Sequence, residues 1–165
     1  AVARHYNHTS TVNVHGSCVA TRYNYLDLDP TYKDAWGLPL LRMTFEFPDN
    51  DLRMSAFCTQ RGVEIARIMG GQLVTGSPRT RPYDITEYQT THNTGGAIMG
   101  TDPSTSVVNR YLQSWDVPNL FVIGASAYPQ NASYNPTGTL GALAYWTAEA
   151  IVTRYLKSPG RLVSA

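Results

Sequence analysis

Leu41, Met43, Phe45 and Phe47 alternate with Arg42, Thr44 and Glu46, so a strand over this stretch would carry its apolar side chains on one face and its polar ones on the other. That pattern points to an antiparallel sheet with one face covered and one face open to water or to a substrate cavity. Val19, Thr21, Tyr23 and Tyr25 repeat the alternation against Ala20, Arg22 and Asn24, which predicts another strand of the same character. The intervening residues 29–39 hold two prolines and a glycine and read as an ordered loop. Asn50 or Asp51 can cap a helix running to about Met69, where Gly70-Gly71 stops it; Leu52, Ala56, Thr59, Val63 and Ala66 keep helical spacing, so this helix should cover the sheet. Residues 72–75 and 83–90 are further strand candidates, with Gly76-Ser77-Pro78-Arg79 as the turn between them.

The second half is patterned differently. Residues 119–126 form a short apolar run ending in Gly124-Ala125-Ser126, which reads as a buried strand bringing its backbone close to a neighbour. Leu140, Leu143, Ala144, Thr147, Ile151 and Tyr155 then make one stripe of a helix over about 138–156. Asn135 is the expected N-cap and Pro136 the first helical residue, which leaves the N–H groups of Thr137 and Gly138 without helical partners and suited to negative charge.

At 165 residues with 42% hydrophobic content the chain suffices for one domain with its own core, and a second full domain is not expected. Thirteen Lys and Arg against 12 Asp and Glu, a formal charge of +1, give no field that would draw nucleic acid or anionic membrane. No apolar run reaches the roughly 18 residues that a bilayer span needs, residues 1–10 lack a signal-peptide layout, and the chain reads as soluble. Cys18 and Cys58 cannot form a C-x-x-C; they read as two buried thiols or as a disulfide, with the thiols favoured, and indicate no compartment. Eleven tyrosines suit sheet faces, and also carbohydrate-like ligands.

The chemistry-bearing residues are His92, in Thr91-His92-Asn93-Thr94-Gly95-Gly96, and Asn135, in Tyr134-Asn135-Pro136-Thr137-Gly138-Thr139. Oxidation of an alcohol by a hydride acceptor needs a base for the hydroxyl proton and a group that fixes the oxygen. A histidine with an unperturbed pKa of about 6.5 suits the first role, and an amide that does not titrate suits the second. Taken singly, His92 also fits an ordinary hydrogen-bonded histidine and Asn135 an ordinary helix cap, and composition and spacing do not choose. The Gly124 strand end lacks G-x-S-x-G, against a serine hydrolase, and His5, His8 and His15 match no zinc spacing. Asn7-His8-Thr9 and Asn131-Ala132-Ser133 match the glycosylation sequon, a pattern too common to carry weight here.

Together, His92-Asn93-Thr94-Gly95-Gly96, Asp116–Ser126 and Asn135-Pro136-Thr137-Gly138-Thr139-Leu140 resemble, in order and spacing, the C-terminal region of glucose–methanol–choline (GMC) oxidoreductases. Residues 24–39 resemble more narrowly the branch of gluconate, sorbitol and glucose dehydrogenase large subunits. The resemblance covers about Gly16 to Leu156. It implies an α+β fold: an antiparallel sheet with packed helices belonging to a substrate domain over 1–90, then a catalytic segment over 91–165 whose terminal strand and helix complete a flavin domain. It also implies FAD as cofactor, His92 as catalytic base with Asn135 as its partner, and Gly124, Ala125, Pro136 and Thr137 against the flavin.

The same likeness implies a small alcohol, sugar, polyol or sugar acid as substrate. The expected partners are the N-terminal FAD-binding region of the parent chain and an electron-accepting subunit, in a periplasmic or membrane-attached bacterial complex. No Gly-x-Gly-x-x-Gly follows a strand in these residues, so the chain is expected to be a fragment that by itself neither retains FAD nor turns over substrate. The alternative reading is a noncatalytic carbohydrate-binding domain, with Tyr23 and Tyr25 as a sugar platform, or a structural or interaction β domain.

Overall fold

A computed structural model describes residues 5–86 and 91–164. Helix α1 spans Asp49–Ile68 and starts behind Pro48, whose carbonyl accepts from Asp51 N–H (3.0 Å) and Leu52 N–H (3.1 Å); Asp49 and Asp51 place negative charge in the first turn, where the helix dipole favours it. It stops where the sequence predicts. Gly70 is left-handed (φ 91°), Gly70 N–H donates to Arg67 carbonyl (3.0 Å) and Gly71 N–H to Ala66 carbonyl (3.0 Å), the paired bonds of a Schellman ending.

The chain divides into two compact units interleaved in sequence, Ala1–Gly16 with Phe47–Tyr83 and Ser17–Glu46 with Asp84–Ala165. In the first unit, α1 is flanked by irregular chain. Gly62 faces Val12 and Val14, and Gly76 faces Thr59 and Val63. Ser55 Oγ accepts from Arg79 N–H (2.8 Å), Arg81 pairs with Asp49 (2.8 Å) and bonds the Phe47 carbonyl, and the Phe47 ring meets Tyr83 edge-on at 5.6 Å. Cys58 is half-buried on this helix.

The second unit carries the only sheet found among the described residues, an antiparallel hairpin of β1 (Tyr25–Lys33) and β2 (Pro39–Thr44). Tyr25 pairs with Thr44, Asp27 with Arg42 and Leu28 with Leu41, and the register shifts before Lys33 meets Pro39. The expected loop over 29–39 is therefore mostly strand. Its turn is built on Asp34, whose Oδ1 accepts from Trp36 N–H and Leu38 N–H, both at 2.9 Å, with Gly37 left-handed at φ 83°. Conversely, 19–24 is not a strand, Val19 making only an isolated bridge to Gln130. Asn24 occupies the place of the next rung, its side chain donating to Glu46 carbonyl (3.0 Å) and accepting from Glu46 N–H (2.7 Å), so regular pairing begins only at Tyr25. The 72–75 stretch is irregular, and 83–86 is a turn, while the rest of that expected strand lies outside the described residues.

The core of this unit is Val108, Leu112 and Ala127, with Met99, Val122 and Leu143 packed around them. Much of the backbone here is irregular and is held by a buried amide pair. Gln113, 0% exposed, donates through Nε2 to the carbonyls of Pro118 and Gly160 (2.7 Å each), and its Oε1 accepts from Leu162 N–H (2.8 Å) and Asn109 Nδ2 (3.2 Å). The 119–126 run makes one bridge, Phe121 to Gln113, flanked by the bonds from Val122 N–H to Leu112 carbonyl (2.8 Å) and from Ser114 N–H to Leu120 carbonyl (2.9 Å), before turning into a 3-10 turn over Ala125–Ala127. Helix α2 spans Thr137–Ala150, and the predicted continuation to Leu156 is a π turn over Ile151–Tyr155, with Leu156 N–H reaching Ile151 carbonyl (2.9 Å). An antiparallel hairpin with helices is the expected α+β class, with a bridge in place of the terminal strand.

Candidate active site

The glycines after His92 shape the first wall. Gly95 (φ 82°) and Gly96 (φ 90°) are both left-handed, a conformation that side chains rarely adopt, and a Cβ on Gly95 would sit 3.4 Å from the Ala20 Cβ. This geometry lays the segment after His92 along the 3-10 turn: Gly95 N–H donates to Ala125 carbonyl (3.3 Å), Ala97 N–H to Ser126 carbonyl (3.0 Å) and Met99 N–H to Ala127 carbonyl (2.8 Å). His92 itself is half-buried. The segment after His92 is thus tied to the Gly124 turn through backbone bonds between stretches about thirty residues apart.

On the other side of the turn, Ala20 N–H donates to Pro129 carbonyl (3.0 Å) and Asn131 N–H to Cys18 carbonyl (3.3 Å). Asn131 Oδ1 then accepts from Ser133 N–H (3.1 Å) while Ala132 (φ 55°) and Ser133 (φ 60°) are left-handed without being glycines. Consecutive strained residues of this kind each cost about 1 kcal/mol or more. They turn the chain outward, so that Tyr134 and Asn135 stand exposed before α2 begins. Asn135 is not the cap: Pro136 (φ −80°, ψ −11°) holds that position with no side-chain bond, and its carbonyl accepts the first helical bond from Leu140 N–H (2.9 Å). The amide is thereby left available to a ligand.

An open depression of about 330 Å³ lies here, walled by Met99, Tyr128, Gln130, Tyr134, Asn135 and Thr139 among others. Asn135 and Pro136 line it; His92, Gly124, Ala125 and Thr137 do not. The structure therefore ties the His92 segment to the turn but gives the depression to Asn135. The groups around it suit the acceptor edge of a flavin. Thr137, Gly138 and Thr139 are exposed at the start of α2, where amide N–H groups lack helical partners, and a Cβ at Gly138 would meet nothing within 4 Å. The carbonyls of Gly124 and Ala125 are turned to internal donors, Ala127 N–H (3.1 Å) and Gly95 N–H (3.3 Å). What faces out from the α2 start is a set of donors, which matches carbonyl and ring-nitrogen acceptors.

Sequence reasoning missed Tyr128. It is 7% exposed, its phenol donates to Pro136 carbonyl (3.0 Å), and burial pushes its pKa up while the Thr139 hydroxyl opposes that rise. The signal was a tyrosine between the two expected flavin-facing segments, one that a reading for core residues passes over as packing.

A model of the family described as GMC oxidoreductase matches residues 20–144. The chain is 56% identical over its whole length to a gluconate 2-dehydrogenase flavoprotein of Pantoea cypripedii, of which it covers 27%. It is 33% identical over 92% of its length to a 2-methyl-1,2-propanediol dehydrogenase of Mycolicibacterium austroafricanum, covering 26% of that protein. It is also 35% identical over 78% of its length to a fructose dehydrogenase large subunit of Gluconobacter japonicus, covering 22% of it. The chain spans about a quarter of the length of these relatives. With its glycine-bent histidine segment, its Gly124 turn and its open α2 start all inside the matched region, the chain belongs to the GMC oxidoreductase family.

Proposed function

We propose that this chain is the C-terminal part of a flavoenzyme that oxidises a hydroxyl of a sugar, polyol or sugar acid, with His92 as the base. The observation that carries the reading is the set of backbone bonds from residues 95–99 to the Ala125–Ala127 turn, which ties the segment after His92 to that turn, with Met99 at its end lining the same depression as Asn135. FAD, when bound, supplies the hydride acceptor. In the reaction the C–H bond breaks with its electron pair leaving for that acceptor, and the O–H proton passes to the His92 imidazole. Asn135 donates to the substrate oxygen and orients the carbon. Gly124, Ala125, Pro136 and Thr137 are the residues that would hold the flavin edge, with the first-turn amides of α2 favouring negative charge there.

The relatives' names support a sugar-derived substrate, since one is a gluconate and another a fructose dehydrogenase. The second is named a large subunit, which supports an electron-accepting subunit as partner. The hairpin supports the parent chain's FAD-binding region as a further neighbour: Leu26, Leu28, Leu41 and Met43 are all exposed, and Trp36 at its tip is 85% exposed, more apolar surface than an isolated hairpin leaves to water. The test is turnover of the full-length flavoprotein with an artificial electron acceptor across sugar acids, aldoses, ketoses and polyols. Turnover with at least one class is expected, and no turnover by a flavin-loaded preparation across the panel would end the proposal.

A further inference from the structure

We propose that Tyr128 is a positioning residue for this oxidation, holding Asn135 and the first turn of α2 in their working arrangement through its hydroxyl; the inference rests on the functional reading above. The chain leaves the core at Tyr128, which is buried, and re-enters regular structure at Pro136. The loop between them is fastened at its near end to Cys18 and Ala20. Beyond Asn131 it passes through two left-handed residues, Ala132 and Ser133, and such backbone relaxes unless its far end is held. Among the described residues no hydrogen bond fixes the Asn135 side chain, so its place is set by its neighbours. The far end is gripped at one atom. Pro136 carbonyl accepts both the first helical bond of α2, from Leu140 N–H at 2.9 Å, and the Tyr128 phenol at 3.0 Å.

The phenol therefore joins three things: the turn that receives the Gly95 N–H, the peptide that opens α2, and, one residue earlier, Asn135. The Thr139 hydroxyl is its second polar neighbour, one turn into the helix. A phenol is protonated at neutral pH, burial only pushes its pKa further up, and the protonated phenol is the form that can donate to a carbonyl. Tyr128→Phe removes that donor and keeps the ring that walls the depression.

The test uses the full-length flavoprotein with FAD bound, reduced anaerobically by substrate in a single turnover. Tyr128→Phe should lower the limiting rate of flavin reduction about tenfold, as expected when a hydrogen bond of ordinary strength no longer holds a reacting geometry, and leave the apparent substrate affinity within about twofold. The midpoint potential of the bound flavin should move to more negative values, because the α2 amides that stabilise the reduced form are held less well. Thr139→Val, which removes the other hydroxyl, should lower the rate about twofold and shift the potential in the same direction as Tyr128→Phe, and carries the test if Tyr128→Phe does not accumulate. An unchanged rate per bound flavin with an unchanged potential overturns the inference, including when thermal stability falls, since that outcome assigns Tyr128 to folding alone. His92→Ala is measured in parallel. A wild-type rate there removes the functional reading and this inference with it, whereas a slow His92→Ala beside a normal Tyr128→Phe removes only the role of Tyr128.

Discussion

Gln113→Leu should detach the C-terminal segment from the core without unfolding the rest. The leucine side chain is one bond shorter than the glutamine's and has no polar atoms, so four bonds vanish: those to Pro118, Gly160, Leu162 and Asn109. A net contribution of about 1 kcal/mol per bond puts the loss at about 4 kcal/mol, and the extra apolar surface in a site that is 0% exposed returns about 1 kcal/mol. The remainder, about 3 kcal/mol, falls locally, because Gly160 and Leu162 are half-buried and are rehydrated once released. The assay is amide hydrogen exchange by mass spectrometry on the full-length protein, read on peptides covering 158–164. Their exchange should accelerate about a hundredfold, as 1.4 kcal/mol corresponds to a factor of ten. Gln113→Glu should behave similarly: its carboxylate can still accept from Leu162 and Asn109 but cannot donate to Pro118 or Gly160. Unchanged exchange over 158–164 in Gln113→Leu would refute the view that this buried amide is the clasp of the C-terminus.

Two further outcomes concern cofactor and pH. The isolated 165-residue chain, purified from a flavin-replete host, should show no stoichiometric visible flavin absorption, and a one-to-one flavin content would contradict the expectation that the nucleotide end is held elsewhere. Asp29 accepts from Thr31 N–H and Tyr32 N–H at 2.8 Å each, and these bonds hold its carboxyl below the ordinary value of 3.8. A carboxylate depressed in the fold contributes stability that is complete above that ordinary value and is lost as pH falls through the lower folded one. The Thr31 and Tyr32 amide resonances of the full-length protein should therefore titrate only below 3.8, and Asp29→Asn should abolish that titration; a midpoint above 3.8 would reverse the argument.

Local chemistry was the legible part of this sequence. Helix α1 and its stop follow from apolar spacing and Gly70-Gly71, both short-range signals, and both appear in the structure. The alternation over 19–25 misled because Asn24 pairs with Glu46, 22 residues away, through its side chain, and no period in the sequence reports that. Residues 29–39 misled in the other direction: Pro30 reads as a breaker, yet it lies in the irregular stretch of β1 between Leu28 and Lys33, where the pairing register shifts. In the candidate site, Asn135 read as the cap of α2, but the cap is Pro136 one residue on, because the left-handed pair Ala132 and Ser133 carries Asn135 out before the helix starts. The grip of Tyr128 on Pro136 was hidden, since an aromatic before a proline reads as packing. The Gln113 clasp was hidden too, because Gly160 and Leu162 meet it only once the chain is folded.

The claim that His92 is the base is tested most directly by the limiting rate of flavin reduction in the full-length protein carrying His92→Ala, measured anaerobically with saturating substrate. Loss of a positioned general base predicts a rate about a hundredfold to ten-thousandfold lower at neutral pH, recovering in part as pH rises and hydroxide takes over the proton. A rate within about twofold of wild type, with the same pH dependence, would contradict the account.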